Sequence, residues 1–320
     1  DRWQEKWDNL PTIKGSLSDG LLKALDTKPK VEQKIDTTNP EAYEFYLKAK
    51  HKYEKRENTD DTEIVRGLLK KAIELDGNLI SAKTLLGTTY TDMGDYDEAM
   101  EIFIPALKQA EKLADKTGMG AALNSIGAVH YYKSDYDSAL DYYGRSLAIR
   151  EELGDKLGMG QSLNNIGNVH GNRGEYDKAL EYYDRALKIK EEIGDKTGMG
   201  YSLASIGIVH YYKGEYDKAT EYLEKSLAIQ KEIGLKGLEL ETTTYLYLSY
   251  KHLGKDYDVN EIHSLIKDAE NIEFEVNFRI YELLDDTTYL ETAYNQVQEK
   301  ASAIVDGKKY LSYPIPKAIV

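Results

Sequence analysis

The central part of the chain repeats apolar residues with the period of an α-helix. In one stretch, four apolar or partly apolar positions follow the spacing i, i+3, i+4, i+7, which puts them on one helix face. They are Leu163, Ile166, Gly167 and His170. Gly174 is predicted to end this helix, since glycine is favoured after a helix C-terminus. Asp177 is predicted to start a second helix, where a carboxylate complements the helix dipole. The apolar stripe of that second helix is predicted at Ala179, Tyr183, Leu187 and Ile189.

This helix pair recurs with a fixed period. Three stretches share most of their residues: 121–156, 161–196 and 201–236. Gly118, Gly158 and Gly198 are spaced 40 residues apart (158 − 118 and 198 − 158). A constant period of this size is typical of a solenoid, in which each unit packs mainly on its neighbours. The pattern therefore predicts an all-α array of two-helix repeats.

The positions that recur resemble the tetratricopeptide repeat (TPR). The family pattern has a large residue, a Leu-Gly pair, a Tyr, a later Ala, an aromatic residue and a small residue. One repeat matches at Leu163, Ile166, Gly167, His170, Ala179, Tyr183 and Ala186. The preceding repeat matches at Leu123, Ile126, Gly127, His130, Ala139, Tyr143 and Ser146. The following repeat matches at Leu203, Ile206, Gly207, His210, Ala219, Leu223 and Ser226. An earlier repeat matches at Leu86, Gly87, Tyr90, Ala99, Phe103 and Ala106.

The resemblance implies a right-handed α-solenoid of helix-turn-helix repeats. The family's usual repeat has 34 residues, so the longer period here adds about one and a half helical turns per unit. This longer form is similar to the arrays of kinesin light chains and of Leu-Gly-Asn-repeat G-protein regulators. The His in the first helix, where the family prefers Tyr, departs from the pattern but is similar in size.

The repeats suggest three parts of the chain: an N-terminal helical segment at 1–38, an array at 39–270, and capping helices with an extended tail at 271–320. Six repeats are predicted at 39–78, 79–117, 118–157, 158–197, 198–237 and 238–270. Two further helices are expected near 273–284 and 286–304.

Residues 1–27 lie outside the repeat pattern. They resemble the closing segment of the TolB-like domain that precedes TPR arrays in some bacterial signalling proteins. Such proteins often carry a cyclase, a kinase or a winged-helix domain at their N-terminus. The chain opens at DRWQEKW without an initiator Met or a signal peptide, so we expect it to be a piece of a longer protein or a processed one.

The sequences GDKLGMG and GDKTGMG contain glycines and a lysine, and the second also contains a hydroxyl, as phosphate-binding loops do. A phosphate-binding loop, however, has its Lys and Ser or Thr after the second glycine and follows a strand. Here a helical pattern precedes the motif, which therefore predicts a helix junction. Gly154 and Gly194 are expected to end helices, and Asp155 and Asp195 to cap the next ones. The small residues Gly158, Gly160 and Gly200 are expected to let neighbouring helices approach closely.

The sequence offers no catalytic or metal-binding arrangement. His130, His170 and His210 recur once per repeat, and stacked helices place equivalent atoms about 10 Å apart, whereas zinc ligands lie about 2 Å from a common ion. These histidines are therefore expected to pack in the core. The chain has no cysteine, and its acidic pairs fall on solvated helix faces. We expect no catalytic residues, no metal and no cofactor.

Composition limits the classes of partner. The net charge is −14, which argues against a general nucleic-acid or anionic-membrane binder and suits a partner with some basic character. No apolar run approaches the roughly 18 residues of a membrane-spanning helix. We therefore expect a soluble chain, with the cytoplasm favoured over the periplasm as its location, while homo-oligomerisation stays open.

The TPR resemblance implies that first helices line a concave groove that binds peptides. The positions that it assigns to the groove are Thr84, Thr88, Asn124, Tyr131, Tyr132, Gln161, Asn164, Asn168, Asn172, Tyr201, Tyr211 and Tyr212. Asparagine offers both a donor and an acceptor to a peptide backbone, and tyrosine gives a large contact area with little loss of entropy. The alternative for the asparagines is that they are solvated or form hydrogen bonds between helices.

The sequence therefore predicts a non-catalytic scaffold that binds an extended, partly basic protein or peptide segment, as the interaction module of a signalling or regulatory protein. The alternative is a sensory or oligomerising regulatory half that controls an attached cyclase or kinase. The final stretch, KKYLSYPIPKAIV, is expected to pack along the last helices; occupancy of a groove is the other possibility.

Overall fold

The computed structural model describes residues 39–56, 59–269 and 272–305, with side chains described as far as Glu299. This part of the chain contains helices and no strand, which confirms the all-α class of two-helix repeats. Its helices are α1 Pro40–Glu54, α2 Thr59–Leu75, α3 Ile80–Asp92, α4 Tyr96–Lys112, α5 Lys116–Tyr132, α6 Tyr136–Leu153, α7 Lys156–Asn172, α8 Tyr176–Ile193, α9 Lys196–Tyr212, α10 Tyr216–Ile233, α11 Lys236–Leu253, α12 Val259–Asp268, α13 Phe274–Leu284 and α14 Thr287–Val305.

The chain divides into two compact units, one ending at Ser125 and the other beginning at Ile126. The division falls within α5, and the domain boundaries predicted after residues 38 and 270 remain predictions. In unit 1, helices α1 to α4 surround a core of small and aliphatic side chains. Its most buried members include Ala42, Ala49, Val65, Leu69, Ala72, Leu79 and Ala82.

The two helices of a repeat in unit 2 pack closely where a glycine of the first helix contacts a large side chain of the second. A Cβ atom on Gly167 would lie 2.6 Å from Tyr183 Cε1, and one on Gly207 would lie 2.6 Å from Leu223 Cγ. These separations are too short for two carbon atoms. The Leu-Gly position of each repeat therefore lets α7 pack on α8 and α9 pack on α10.

The helix junctions follow the predicted chemistry. Gly154 and Gly194 end α6 and α8 in the left-handed conformation, with φ of 65° and 69°. Asp155 then caps α7 by accepting a hydrogen bond from the Gly158 amide at 3.0 Å, and Asp195 caps α9 in the same way. These predictions are confirmed. One start differs slightly, because α8 begins at Tyr176 and Asp177 lies inside its first turn.

The prediction of close packing at Gly160 and Gly200 is wrong. A Cβ atom on Gly160 would lie 3.4 Å from the nearest carbons of Lys190, and one on Gly200 would lie 3.7 Å from Gln230 Cγ. Both are ordinary contacts. Close approach occurs instead at Gly158, where a Cβ atom would lie 2.7 Å from Arg150 Cδ, and at the Leu-Gly positions.

The last two described helices correspond to those expected from the sequence near 273–284 and 286–304. Phe274 of α13 is buried with Ala293 and Val297 of α14, and α13 also packs on α11. The resemblance noted for residues 1–27 and the two alternatives for the stretch after residue 307 lie outside the described residues.

Candidate functional site

Most of the positions that the sequence assigned to peptide binding lie in unit 2, on the first helices of three successive repeats: α5, α7 and α9. On α7 the spacing of Gln161, Asn164, Asn168 and Asn172 places their side chains along one side of the helix. Neighbouring first helices contribute tyrosines to the same set. We call this set the unit-2 face; it consists of Tyr131, Tyr132, Gln161, Asn164, Asn168, Asn172, Tyr201, Tyr211 and Tyr212.

Asn164 is held by two donors from other helices. Its Oδ1 accepts a hydrogen bond from Lys190 Nζ of α8 at 3.0 Å and another from Ser202 Oγ of α9 at 2.8 Å. Two donors satisfy both lone pairs of an amide oxygen. Asn164 therefore joins α7 to α8 and α9 through its oxygen.

Lys190 is a buried cation with neutral hydrogen-bond partners. Its exposed fraction is 4%, and its Nζ donates to Asn164 Oδ1 and to Ser202 Oγ. Burial disfavours the charged ammonium and lowers the pKa of Lys190 to about 8, although the nearby Asp195 partly opposes this shift. In the described part of the chain no carboxylate lies within ion-pair distance of Lys190.

The two other asparagines of the unit-2 face, Asn168 and Asn172, bond to tyrosines. Asn168 Oδ1 accepts a hydrogen bond from the Tyr183 hydroxyl of α8 at 2.7 Å. Asn172 uses the opposite end of its amide, with Nδ2 donating to the Tyr131 hydroxyl of α5 at 2.8 Å. Asn164, Asn168 and Asn172 therefore all form hydrogen bonds between helices, which was the alternative interpretation of the asparagines. Gln161 is exposed.

A cluster of aromatic rings lies at the α9 end of the unit-2 face. The Tyr211 ring centroid lies 5.6 Å from that of Tyr212 and 5.3 Å from that of Tyr245. Tyr216 stacks on His252 at 4.2 Å, and the hydroxyls of Tyr212 and Tyr245 lie 2.8 Å apart. Tyr212 remains 52% exposed, so one of these rings is accessible from solvent.

Helix α13 places a buried cation behind this cluster. The Arg279 guanidinium lies 4.3 Å from the Tyr245 ring centroid, and its Nη2 donates to Glu241 Oε1 at 3.1 Å. A cation over an aromatic face is attracted by the ring quadrupole. Partial desolvation, opposed by the charge of Arg279, raises the pKa of Glu282, a residue near the same cluster.

Tyr201 stands on the first turns of α9 and is 44% exposed. Partial burial and the charge of Glu241 raise the pKa of its phenol, so the hydroxyl stays a neutral donor near pH 7. Tyr201 and Tyr212 thus give the unit-2 face two accessible aromatic side chains on one helix.

Sequence reasoning missed the buried polar residues beneath this face. Arg150, Lys190 and Gln230 occupy one position in three successive repeats (190 − 150 and 230 − 190 are both 40), and all three are buried. Arg150 donates to the Gly158 carbonyl at 2.7 Å, and Gln230 donates to Thr242 Oγ1 at 2.9 Å. An alignment of the repeats could have revealed them, because this position is polar in three successive repeats but is Ala110 in the repeat before them.

The three histidines that recur in the repeats pack inside their own repeats. His170 Nδ1 lies 2.9 Å from Glu175 Oε2, and the His170 ring stacks on Tyr182 at 5.3 Å. His210 makes the same two contacts one repeat later, with Glu215 and Tyr222. No group of side chains suited to a metal ion was found among the described residues.

A protein-family model described as "Tetratricopeptide repeat" matches residues 79–152 and 158–232. Both segments are tetratricopeptide repeats. The two matched segments contain all nine residues of the unit-2 face. No curated protein matches the chain significantly.

Solved TPR-containing and related structures share the fold of this chain. A STAND signal-transduction ATPase with a TPR sensor, from Pyrococcus horikoshii, is 21% identical over 84% of this chain with a TM-score of 0.57. This chain spans 39% of the length of that protein. A Rap protein complexed with Competence and Sporulation Factor is 17% identical over 90% of this chain and 81% of its own length, with a TM-score of 0.63.

A third similar structure is BtubC (BKLC) from P. vanneervenii, which is 17% identical over 71% of this chain and 89% of its own length, with a TM-score of 0.52. At these identities the similarities establish the solenoid fold of stacked helix pairs. TPR folds generally serve as scaffolds for protein interaction.

The three groove positions that the TPR resemblance assigned in unit 1, Thr84, Thr88 and Asn124, differ in burial. Thr84 is buried, and its hydroxyl donates to the Ile80 and Ser81 carbonyls of its own helix. Thr88 is partly buried and donates to the Thr84 carbonyl. Asn124 is partly buried on α5. Thr84 therefore contributes to helix packing. All three unit-1 positions are buried or partly buried, whereas the unit-2 face includes exposed side chains such as Gln161 and Asn172.

None of the helices in the described residues is long and apolar enough to cross a bilayer.

Proposed function

We propose that this chain is a non-catalytic scaffold that binds an extended protein or peptide segment on the unit-2 face. The observation that carries the proposal is the composition of this face: α7 carries a row of amide side chains, and the neighbouring first helix α9 carries the exposed rings of Tyr201 and Tyr212. Amides can bond to a peptide backbone whatever its sequence, whereas tyrosine rings give contact area to side chains.

The charge of the chain favours a partner with basic residues. The net charge is −14, and Glu241 and Glu282 lie at the aromatic end of the face. Complementary charge accelerates association and selects among partners. Nucleic acid, which is a polyanion, does not fit this balance, and neither a cofactor nor direct membrane insertion is part of the proposal.

The structural similarities support this class of function without specifying it. The Rap structure was solved in complex with Competence and Sporulation Factor, so a similar fold binds a signalling factor in that protein. We transfer to this chain the general use of the fold, which is to bind another polypeptide.

The proposal is tested by capturing peptides from a random-sequence library displayed on phage, with the purified chain as bait. The double variant Asn164→Ala and Asn168→Ala is the comparison, since it removes two amides from the middle of α7. We expect the wild-type chain to enrich peptides and the double variant to lose at least about tenfold in affinity, about 1.4 kcal/mol. Failure to enrich any peptide, or equal capture by a folded double variant, would contradict the proposal.

A second candidate function keeps the same fold. The similarity to a STAND protein with a TPR sensor, of which this chain spans 39%, favours a sensory or oligomerising regulatory half that controls an attached cyclase or kinase. Sequencing the coding region upstream of Asp1 tests it. A cyclase or kinase in the same reading frame would support this candidate, and a stop codon close upstream would exclude it.

A further inference from the structure

The asparagines of the unit-2 face differ in which end of the amide they can offer to a ligand. An ammonium group donates hydrogen bonds and cannot accept them, so the Asn164 atom that faces Lys190 Nζ has to be the amide oxygen. Ser202 donates to the same oxygen. The orientation of Asn164 is therefore set by its neighbours, with the oxygen directed towards α8 and α9.

The other end of the Asn164 amide is available. Among the described residues no acceptor bonds to Asn164 Nδ2, and this atom is not one of the buried polar atoms that lack a partner. Nδ2 therefore faces solvent with two N–H donors. Asn168, one helical turn further along α7, likewise uses its oxygen within the protein by accepting from Tyr183.

We propose that Lys190 sets the hydrogen-bonding polarity of the unit-2 face at Asn164, so that the middle of α7, at Asn164 and Asn168, offers N–H donors and selects the carbonyl oxygens of a bound peptide. This inference rests on the proposed function. A peptide bound by these N–H donors needs carbonyl acceptors at the contacted positions and does not need backbone N–H groups there. The partner class is an extended segment that tolerates residues without a backbone N–H, of which proline is the natural example.

Lys190 acts as a positioning residue, because its 4% exposure keeps it from a ligand. A purely structural role is a poor explanation for a buried lysine with neutral partners. Replacing such a charge with an apolar side chain of similar volume is often neutral or stabilising. The chain itself varies this position, with Arg150 one repeat earlier and Gln230 one repeat later. Both of these residues also donate hydrogen bonds to the following first helix.

The first experiment uses the tightest peptide enriched from the library described above. In synthetic copies, each backbone amide in turn is N-methylated, which removes the donor, or replaced by an ester, which also weakens the carbonyl acceptor. At the positions bound by Asn164 and Asn168 we expect N-methylation to change Kd by less than about twofold. We expect the ester to weaken binding about five- to tenfold, the equivalent of losing one hydrogen bond.

The second experiment tests Lys190 directly with the same peptide. Lys190→Met should weaken binding about five- to tenfold and should reduce the difference between the N-methyl and ester series, because the remaining neighbour, the Ser202 hydroxyl, can accept as well as donate and no longer fixes which end of the Asn164 amide faces it. Lys190→Gln keeps a donor, as Gln230 does, and should bind within about twofold of wild type. Lys188→Met removes an exposed charge from the same helix and should also bind like wild type. Circular dichroism melting confirms that each variant is folded.

The outcomes separate the two proposals. If no peptide is enriched, or if the Asn164→Ala and Asn168→Ala double variant binds normally, the proposed function fails and this inference fails with it. If peptides bind through the asparagines but Lys190→Met binds like wild type, the inference alone is overturned. The same holds if N-methylation weakens binding as strongly as the ester at the positions bound by Asn164 and Asn168.

Discussion

At the scale of single residues, two glycines on α9 play different roles. Gly207 faces Leu223, and a Cβ atom there would lie 2.6 Å from its Cγ and 3.2 Å from its backbone nitrogen. Gly200 has room for a methyl group, since the nearest atom would be Gln230 Cγ at 3.7 Å. The two positions give a matched pair of substitutions within one helix.

We predict opposite effects for the two alanine substitutions. Gly207→Ala should lower the free energy of unfolding by about 1–3 kcal/mol through overpacking. Gly200→Ala should raise it by up to about 1 kcal/mol, because alanine favours the helix. Urea unfolding followed by circular dichroism measures both. Destabilisation by Gly200→Ala would show that this position needs glycine for packing after all.

Lys190 gives a second prediction at this scale. Its pKa is lowered from 10.5 to about 8 by burial, so between these values the unfolded chain keeps a proton that the folded protein has released. The free energy of unfolding should therefore rise with pH in this window, by at most about 1.4 kcal/mol per unit. Lys190→Met should remove this contribution, and Lys188→Met should leave it. Parallel curves for wild type and Lys190→Met between pH 8 and about 10 would contradict the lowered pKa.

At the scale of helices, the repeated junction gives a prediction about capping. Asp155 accepts a hydrogen bond from the Gly158 amide at the start of α7, at 3.0 Å. Asp155→Ala should cost about 1 kcal/mol of stability, whereas Asp155→Asn keeps an acceptor and should cost less. Thermal unfolding of the two variants provides the comparison. An equal loss for both would show that the charge of Asp155, which lies 3.9 Å from Arg150, matters more than the cap.

The helices and their ends could be predicted because their causes are local. Gly154 ends α6 through its own φ, and Asp155 caps an amide three residues away. The partners of Asn164 lie 26 and 38 residues away in the sequence, and only helix packing brings them together. Likewise, the space around Gly160 is set by the position of the Lys190 side chain, 30 residues later in the sequence (190 − 160). The sequence could therefore place asparagines on a helix face, but it could not show which end of each amide was already used.

At the scale of the whole molecule, the charge balance predicts how binding responds to salt. The net charge of −14 should favour peptides that carry Lys or Arg among those enriched from a library. Raising the ionic strength from about 0.1 M to about 1 M shortens the screening length from roughly 10 Å to roughly 3 Å and should weaken their binding. Isothermal titration at the two salt concentrations checks this. Binding that strengthens with salt would indicate an apolar partner instead.

The central claim is that the unit-2 face is where a peptide binds. A photo-crosslinking amino acid, p-benzoylphenylalanine, placed at Tyr201 tests it most directly, since this residue is 44% exposed on α9. The same group at Asp184, an exposed position on the second helix α8, is the control. The account predicts that an enriched peptide crosslinks to position 201 and not to position 184. Crosslinking at 184 alone, or equally at both positions, would contradict it.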